Sequence, residues 1–178
     1  MGGFNILKIY PELLDIVGLS EKERHHDLQI IFKRDIEDNH EFAFRSWRIY
    51  PIKAQGEADM GRLFKHLTCE EIIVEDKDGQ KYPKRVFEVA RSQRLHWIKH
   101  HINEKTPLNI DVFTVEERDS KKRKVKKTYI YDKVEKYVIA LEQQRTLAFY
   151  LLTAYHLDKE YGEKALLKKM KKRIATPL

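Results

Sequence analysis

Cysteine is nearly missing from this chain: Cys69 is the single example in 178 residues. One thiol forms no internal disulfide and excludes zinc sites that need several cysteines, so a reducing compartment, the cytoplasm, is expected. Glycine and proline are scarce, with 7 and 5 residues, which argues against long flexible linkers. Nowhere do about 18 apolar residues run together, so no membrane-spanning helix and no membrane partner are expected. The stretch from Met1 to Lys8 lacks the basic opening and apolar run of a secretion leader. Gly2 would suit myristoylation only with Ser or Thr at position 6, where this chain has Ile6.

What is present describes a folded, charge-polarised protein. Hydrophobic residues reach 42%, with 19 aromatics, enough for one good core. Net charge is +7 and unevenly spread: residues 1–83 hold 12 Lys/Arg against 16 Asp/Glu, whereas residues 84–178 hold 23 against 12. A polyanion-binding surface requires such a concentration of positive potential, and RNA is the expected partner. Basic helices and hairpin tips that serve only solubility are the plainer alternative. Membrane surfaces and acidic proteins are further candidates.

Ser20-Glu21-Lys22-Glu23 forms a capping box and predicts a helix from residue 21, with Leu28, Ile31 and Phe32 as its buried stripe. Phe42 and Phe44 alternate with polar neighbours, while Trp47 and Ile49 take the opposite parity. That phase change predicts a strand with a bulge near Ser46, ending at Pro51. A second amphipathic helix is expected over 57–67, and Ile72-Ile73-Val74 before Asp78-Gly79 reads as a strand entering a tight turn. The longest helical pattern covers about 84–103 and is closed by Pro107. Strand-like runs at 110–115, 127–131, 136–141 and 147–155 follow as an antiparallel meander, and a lysine-rich helix over about 158–173 comes last. The expected class is α+β: a long helix packed on a four- to five-stranded antiparallel sheet, with a basic C-terminal helix. Residues 1–59 form an α/β N-terminal extension and residues 60–178 the main domain.

On a helical wheel for residues 86–102, Arg91, Arg94 and His101 fall within the apolar arc of Val86, Phe87, Ala90, Leu95, Trp97, Ile98 and Ile102. A guanidinium turned toward a sheet costs several kcal/mol unless paired. Three readings stay open: pairing with a carboxylate such as Glu142, snorkelling to the rim, or facing a cleft that receives a phosphate bidentately. His101 is the histidine best placed for acid–base chemistry, since it shares the arginines' face. His96 and His100 sit four residues apart on the opposite face and resemble half a metal site, but no third ligand accompanies them. A solvated pair is expected there, as for His25-His26, and neither metal nor cofactor is expected.

Strict alternation over 147–155 puts Thr153 and Tyr155 at the end of an apolar row with Leu147, Phe149 and Leu151. Threonine as a strand former and tyrosine as a rim residue explain them equally well. Lys121, Lys122, Arg123, Lys124, Lys126 and Lys127 crowd an expected hairpin tip, and Lys168, Lys169 and Lys172 stud the last helix. Such charges bind phosphates without reading sequence and lose their hold in salt.

The segment Arg91-Ser92-Gln93-Arg94-Leu95-His96-Trp97-Ile98, then Pro107, a strand meander and Phe149-Tyr150-Leu151-Leu152-Thr153-Ala154-Tyr155-His156-Leu157-Asp158, resembles a known pattern. It is similar to the barnase–EndoU–colicin–RelE-like nucleases, in the branch found in phage and mobile-element proteins. The resemblance covers about residues 60–173 through short motifs, and the first 60 residues carry none of it. It implies that Arg91 and Arg94 face the site and that Thr153 and Tyr155 project from the last strand. It also implies metal-independent RNA cleavage, in which a base takes the ribose 2′-OH proton, the oxygen attacks the adjacent phosphorus, and an acid protonates the leaving 5′-oxygen. His101 as base or acid comes from the wheel and not from the resemblance. The expectation is a toxin-like or phage-associated endoribonuclease, with an inhibitor protein as a further candidate partner. Its rivals are a non-catalytic RNA-binding module on the same fold and a protein-interaction domain.

Overall fold

The computed structural model describes residues 7–51, 53–54, 57–119, 121–145, 147–158 and 160–175. Helix α1 (Glu21–Phe32) starts at its capping box: the Ser20 hydroxyl accepts from the Glu23 N–H, and the Glu23 carboxylate accepts from the Ser20 N–H. It continues into a π-helical turn, Lys33–Glu37. Strands β1 (Ala43–Phe44) and β2 (Trp47–Tyr50) form a hairpin whose two turn residues, Arg45 and Ser46, have φ of 47° and 72°. Positive φ at both central positions matches the twist of the flanking strands. The phase change expected as a bulge is this turn, which reverses the chain between Phe44 and Trp47. A short hairpin, β3 (Lys53–Ala54) with β4 (Glu57–Ala58), precedes α2 (Met60–Thr68). Asp59 caps α2 by accepting from the Arg62 N–H, which is why the helix begins at residue 60 and not 57.

Strands β5 (Cys69–Glu75) and β6 (Lys81–Phe87) pair in antiparallel fashion around a turn containing Gly79, φ 79°. The stretch expected as one long helix over 84–103 is instead the end of β6 followed by two short helices, α3 (Val89–Ser92) and α4 (Trp97–Ile102). Val86 and Phe87 are held in the hairpin opposite Glu70 and Cys69. Glu88 then accepts from the N–H groups of Ala90 and Arg91 and starts a new helix. Pro83 is accommodated in β6 because a two-stranded hairpin leaves each strand one unpaired edge.

Strands β7 (Ile110–Arg118), β8 (Lys124–Asp132), β9 (Tyr137–Gln144) and β10 (Ala148–His156) form the expected antiparallel meander, and the basic helix α5 (Glu160–Met170) follows. The sheet is wider than expected. Its six strands run β1-β2-β10-β9-β8-β7, and β2 lies parallel to β10. The fold is therefore a mixed one of helices and strands built around one large sheet.

Alternation along β8 and β9 sends Ile130, Ile139 and Leu141 to one face and Tyr129, Tyr131, Val138 and Ala140 to the other. Leu166 of α5 packs on the second face. The first is covered by side chains of α1, α2 and α4, and by Leu14 and Ile16 ahead of them. Leu28, Ile31, Phe44 and Ile49 share that core with Leu63, Trp97 and Phe149. A division at residue 59 thus falls inside one hydrophobic core. The physical reason is that β2 takes β10 as its sheet neighbour, while the stripe of α1 is buried against the same sheet.

Candidate functional site

Pairing along β10 is interrupted. Leu151 faces Leu141 but Thr153 faces Ala140, so Leu152 is an extra residue and the alternation shifts phase there. Phe149, Leu151 and Ala154 lie in the main core, whereas Leu152 and Tyr155 pack on the α5 side. Leu147, expected in the apolar row, stands in the preceding turn, exposed and with φ 52°. Past the bulge, the Thr153 hydroxyl donates to the His66 carbonyl at 3.3 Å. Arg91 on α3 donates through Nη1 to the same carbonyl at 2.8 Å and to that of Cys69 at 2.9 Å. Its guanidinium also lies 5.9 Å from the centroid of the Tyr155 ring. Arg91, Thr153 and Tyr155 are brought together.

A groove of about 170 Å³ opens beside them, lined by Arg91, Tyr155, His156 and Leu157 with Glu70, Glu88, Asp158, Tyr161 and Gly162. Arg94 donates through Nη1 to the Ala90 carbonyl at 2.7 Å, and its guanidinium sits 5.1 Å from the Trp97 ring centroid. Among the described residues neither guanidinium makes an ion pair, and the Nε of each is buried without an acceptor. Glu142, offered above as a carboxylate partner, stands opposite Lys127 on β8 instead. Burial lowers the pKa of both arginines, yet a guanidinium keeps its proton in proteins. Two half-buried cations therefore stand without a counter-charge in contact.

His156 was not singled out in the sequence, because the last strand was expected to end at Tyr155. The ladder runs one residue further, with His156 opposite Tyr137. Its Nδ1 is buried without a partner, and burial, reinforced by Arg94, lowers the ring's pKa. At neutral pH the ring is uncharged and able to take a proton.

His101 goes elsewhere. It is fully buried, with Nδ1 2.7 Å from the Trp97 carbonyl and Nε2 2.9 Å from Asp132. Asp132 also accepts from the Tyr10 hydroxyl and from the N–H groups of Val134 and Glu135. Burial alone would raise the Asp132 carboxyl, but these donors outweigh it and hold it at about 2. Both ring nitrogens of His101 are thus engaged within the fold, and neither is left for a substrate. The ring instead ties α4 to the β8–β9 turn and, through Asp132 and Tyr10, to the first described segment. The wheel aligned His101 with the arginines by assuming one continuous helix, and the break between α3 and α4 removes that alignment.

The His96/His100 pair is not solvated as expected. His96 is buried beside the Ile9 and Glu12 backbone, and His100 stacks on Tyr10 with centroids 3.8 Å apart. Burial pushes both down to about 4. Among the described residues no cluster of three His, Cys, Asp or Glu is placed to hold a metal.

The basic residues divide into two groups. Arg123 pairs with Asp119 at 2.7 Å, Lys124 with Glu116 at 3.1 Å, and Lys127 and Lys169 share Glu117 at 3.0 and 2.6 Å. Lys121, Lys122, Lys126, Lys168 and Lys172 are exposed, with no ion pair among the described residues. Glu117 bridges α5 to the β7–β8 hairpin and so brings Lys168 and Lys172 to the same side of the sheet as Lys127, whereas Lys126 has the parity of Ile130 on the other face. No described helix is long and apolar enough to cross a membrane. Comparison with protein-family models, with curated proteins and with solved structures finds no match.

Proposed function

We propose that the protein is a metal-independent endoribonuclease of the barnase–EndoU–colicin–RelE-like kind, cytoplasmic and toxin-like or phage-associated. The observation that carries this reading is a guanidinium without an ion-pair partner, Arg91, lining a groove with a neutral, half-buried histidine, His156, on which the second guanidinium, Arg94, also acts. Arg91 and Arg94 supply fixed positive charge where a pentacoordinate phosphorus would accumulate negative charge. His156 takes the 2′-OH proton, the 2′-oxygen bonds to phosphorus, and the P–O5′ bond breaks with water protonating the departing oxygen. The products are a 2′,3′-cyclic phosphate and a 5′-hydroxyl. Tyr155 shapes the wall that holds the ribose and phosphate, Thr153 fixes the strand behind it through the His66 carbonyl, and the lysines of α5 and the β7–β8 tip hold the flanking strand.

A second reading is a non-catalytic RNA-binding module on the same fold. What favours it is that one guanidinium nitrogen of each arginine is committed to backbone carbonyls. Incubation with total RNA in excess EDTA separates the two. Cleavage that survives chelation, leaves cyclic-phosphate ends and disappears in Arg94→Ala supports the enzyme. Intact RNA with salt-sensitive binding supports the module.

A further inference from the structure

The Arg91 groove is bordered by the first turn of α5, where Tyr161 lines it and keeps 69% of its surface exposed. The inward side of α5 is fixed by Glu163, which accepts from the Tyr131 hydroxyl, by the buried Leu166, and by Lys169 on Glu117. Tyr161, Lys164, Lys168 and Lys172 then follow one another at steps of three or four residues, all exposed. Neighbours at that spacing stand about 5–6 Å apart along one helix side. The row leads on toward Lys121 and Lys122 of the hairpin tip, whose strands Glu117 ties to α5.

An exposed ring at the mouth of the Arg91 groove, followed by ammonium groups at each turn, combines two elements of single-strand recognition. The ring offers a π-face to an unstacked base, and the ammonium groups meet successive phosphates. A duplex keeps its bases stacked on one another and has nothing for Tyr161 to stack against. We propose that this surface takes single-stranded RNA, with Tyr161 stacking one base beside Arg91 and the α5 lysines following the backbone to the β7–β8 tip. The identity of the groove rests on the ribonuclease reading; the binding does not.

The test uses the full chain and a fluorescently labelled octanucleotide with 2′-O-methyl sugars, which cannot be cleaved, free or annealed to its complement. Anisotropy at low salt should show the free strand binding about tenfold or more tighter than the duplex. Tyr161→Ala should weaken strand binding about five- to hundredfold, and Tyr161→Phe should restore it. Replacing Lys168 and Lys172 by glutamine should flatten the slope of log affinity against log salt by about 1.4, at roughly 0.7 per phosphate. Equal affinity for strand and duplex, or wild-type binding by Tyr161→Ala, overturns the proposal. If these binding results hold but unmodified RNA stays intact, the catalytic reading fails and the RNA track stands. If RNA is cut while Tyr161→Ala binds normally, the track fails and the catalytic reading stands.

Discussion

Replacing Asp132 by asparagine isolates the buried hydrogen-bonded carboxylate that ties three segments together. The carboxylate is fully buried, accepts four hydrogen bonds and faces the His101 ring at 2.9 Å. Its pKa falls from an ordinary value of about 3.9 to about 2. At about 1.36 kcal/mol per unit, that fall stabilises the folded state by roughly 2 kcal/mol. Because the folded value is the depressed one, this contribution is complete above about pH 4 and fades as pH drops toward 2. The substitution also replaces the carboxylate partner of the buried His101 ring by a neutral amide, and losing a hydrogen bond to a charged group costs about 1.5–3 kcal/mol. Urea unfolding at pH 7 should therefore show Asp132→Asn less stable by about 3 kcal/mol. The gap to wild type should narrow as pH falls from 4 to 2. Adding His101→Gln should cost less than it does in the wild type, since its partner at position 132 is already altered. Cleavage per folded molecule should stay at the wild-type level, as befits a pair remote from the groove. A loss below about 1 kcal/mol, or a gap that does not change with acidification, would refute the argument.

Three further outcomes are expected. His156→Ala should lower RNA cleavage by about 10²–10⁴-fold while leaving affinity for uncleavable RNA intact; because burial lowers the His156 pKa, the acid limb of the wild-type pH–rate profile should lie below about 6.5, and a limb above that speaks against His156 as base. Arg91→Ala should cost about 1–3 kcal/mol in urea unfolding, since it removes two hydrogen bonds, to the Cys69 carbonyl and to the His66 carbonyl, where Thr153 alone is left as donor. Ser46→Gly should stabilise by about 1 kcal/mol, because serine at φ 72° bears a Cβ penalty that glycine lacks, and calorimetry should find Tm raised by about 2–4 °C.

Local signals were the readable part of this sequence. The Ser20–Glu23 box places the start of α1 correctly because both hydrogen bonds lie within one turn. The meander was equally legible, since each strand pairs with its successor. Misreadings arose where a distant partner decides. Val86 and Phe87 fit a helical stripe, but cross-strand pairing with β5 claims them and Glu88 restarts the chain as a separate helix. The parallel β2–β10 pairing joins residues about a hundred positions apart, and no short pattern announces it. At the candidate site, Arg91 and Arg94 were legible as cations among apolar neighbours. His156 was not, because the extra residue at Leu152 changes the phase of β10 just before it.

The position of β10 between β2 and β9 has a consequence for the order of synthesis. When a ribosome has made everything up to residue 147, the sheet still exists as two unconnected pieces, a short hairpin at one side and three strands at the other. The segment that joins them is the one that carries Thr153, Tyr155 and His156. Assembly of the sheet and arrival of the groove's own side chains are thus a single late event, and a nascent chain stays incomplete in both respects until then.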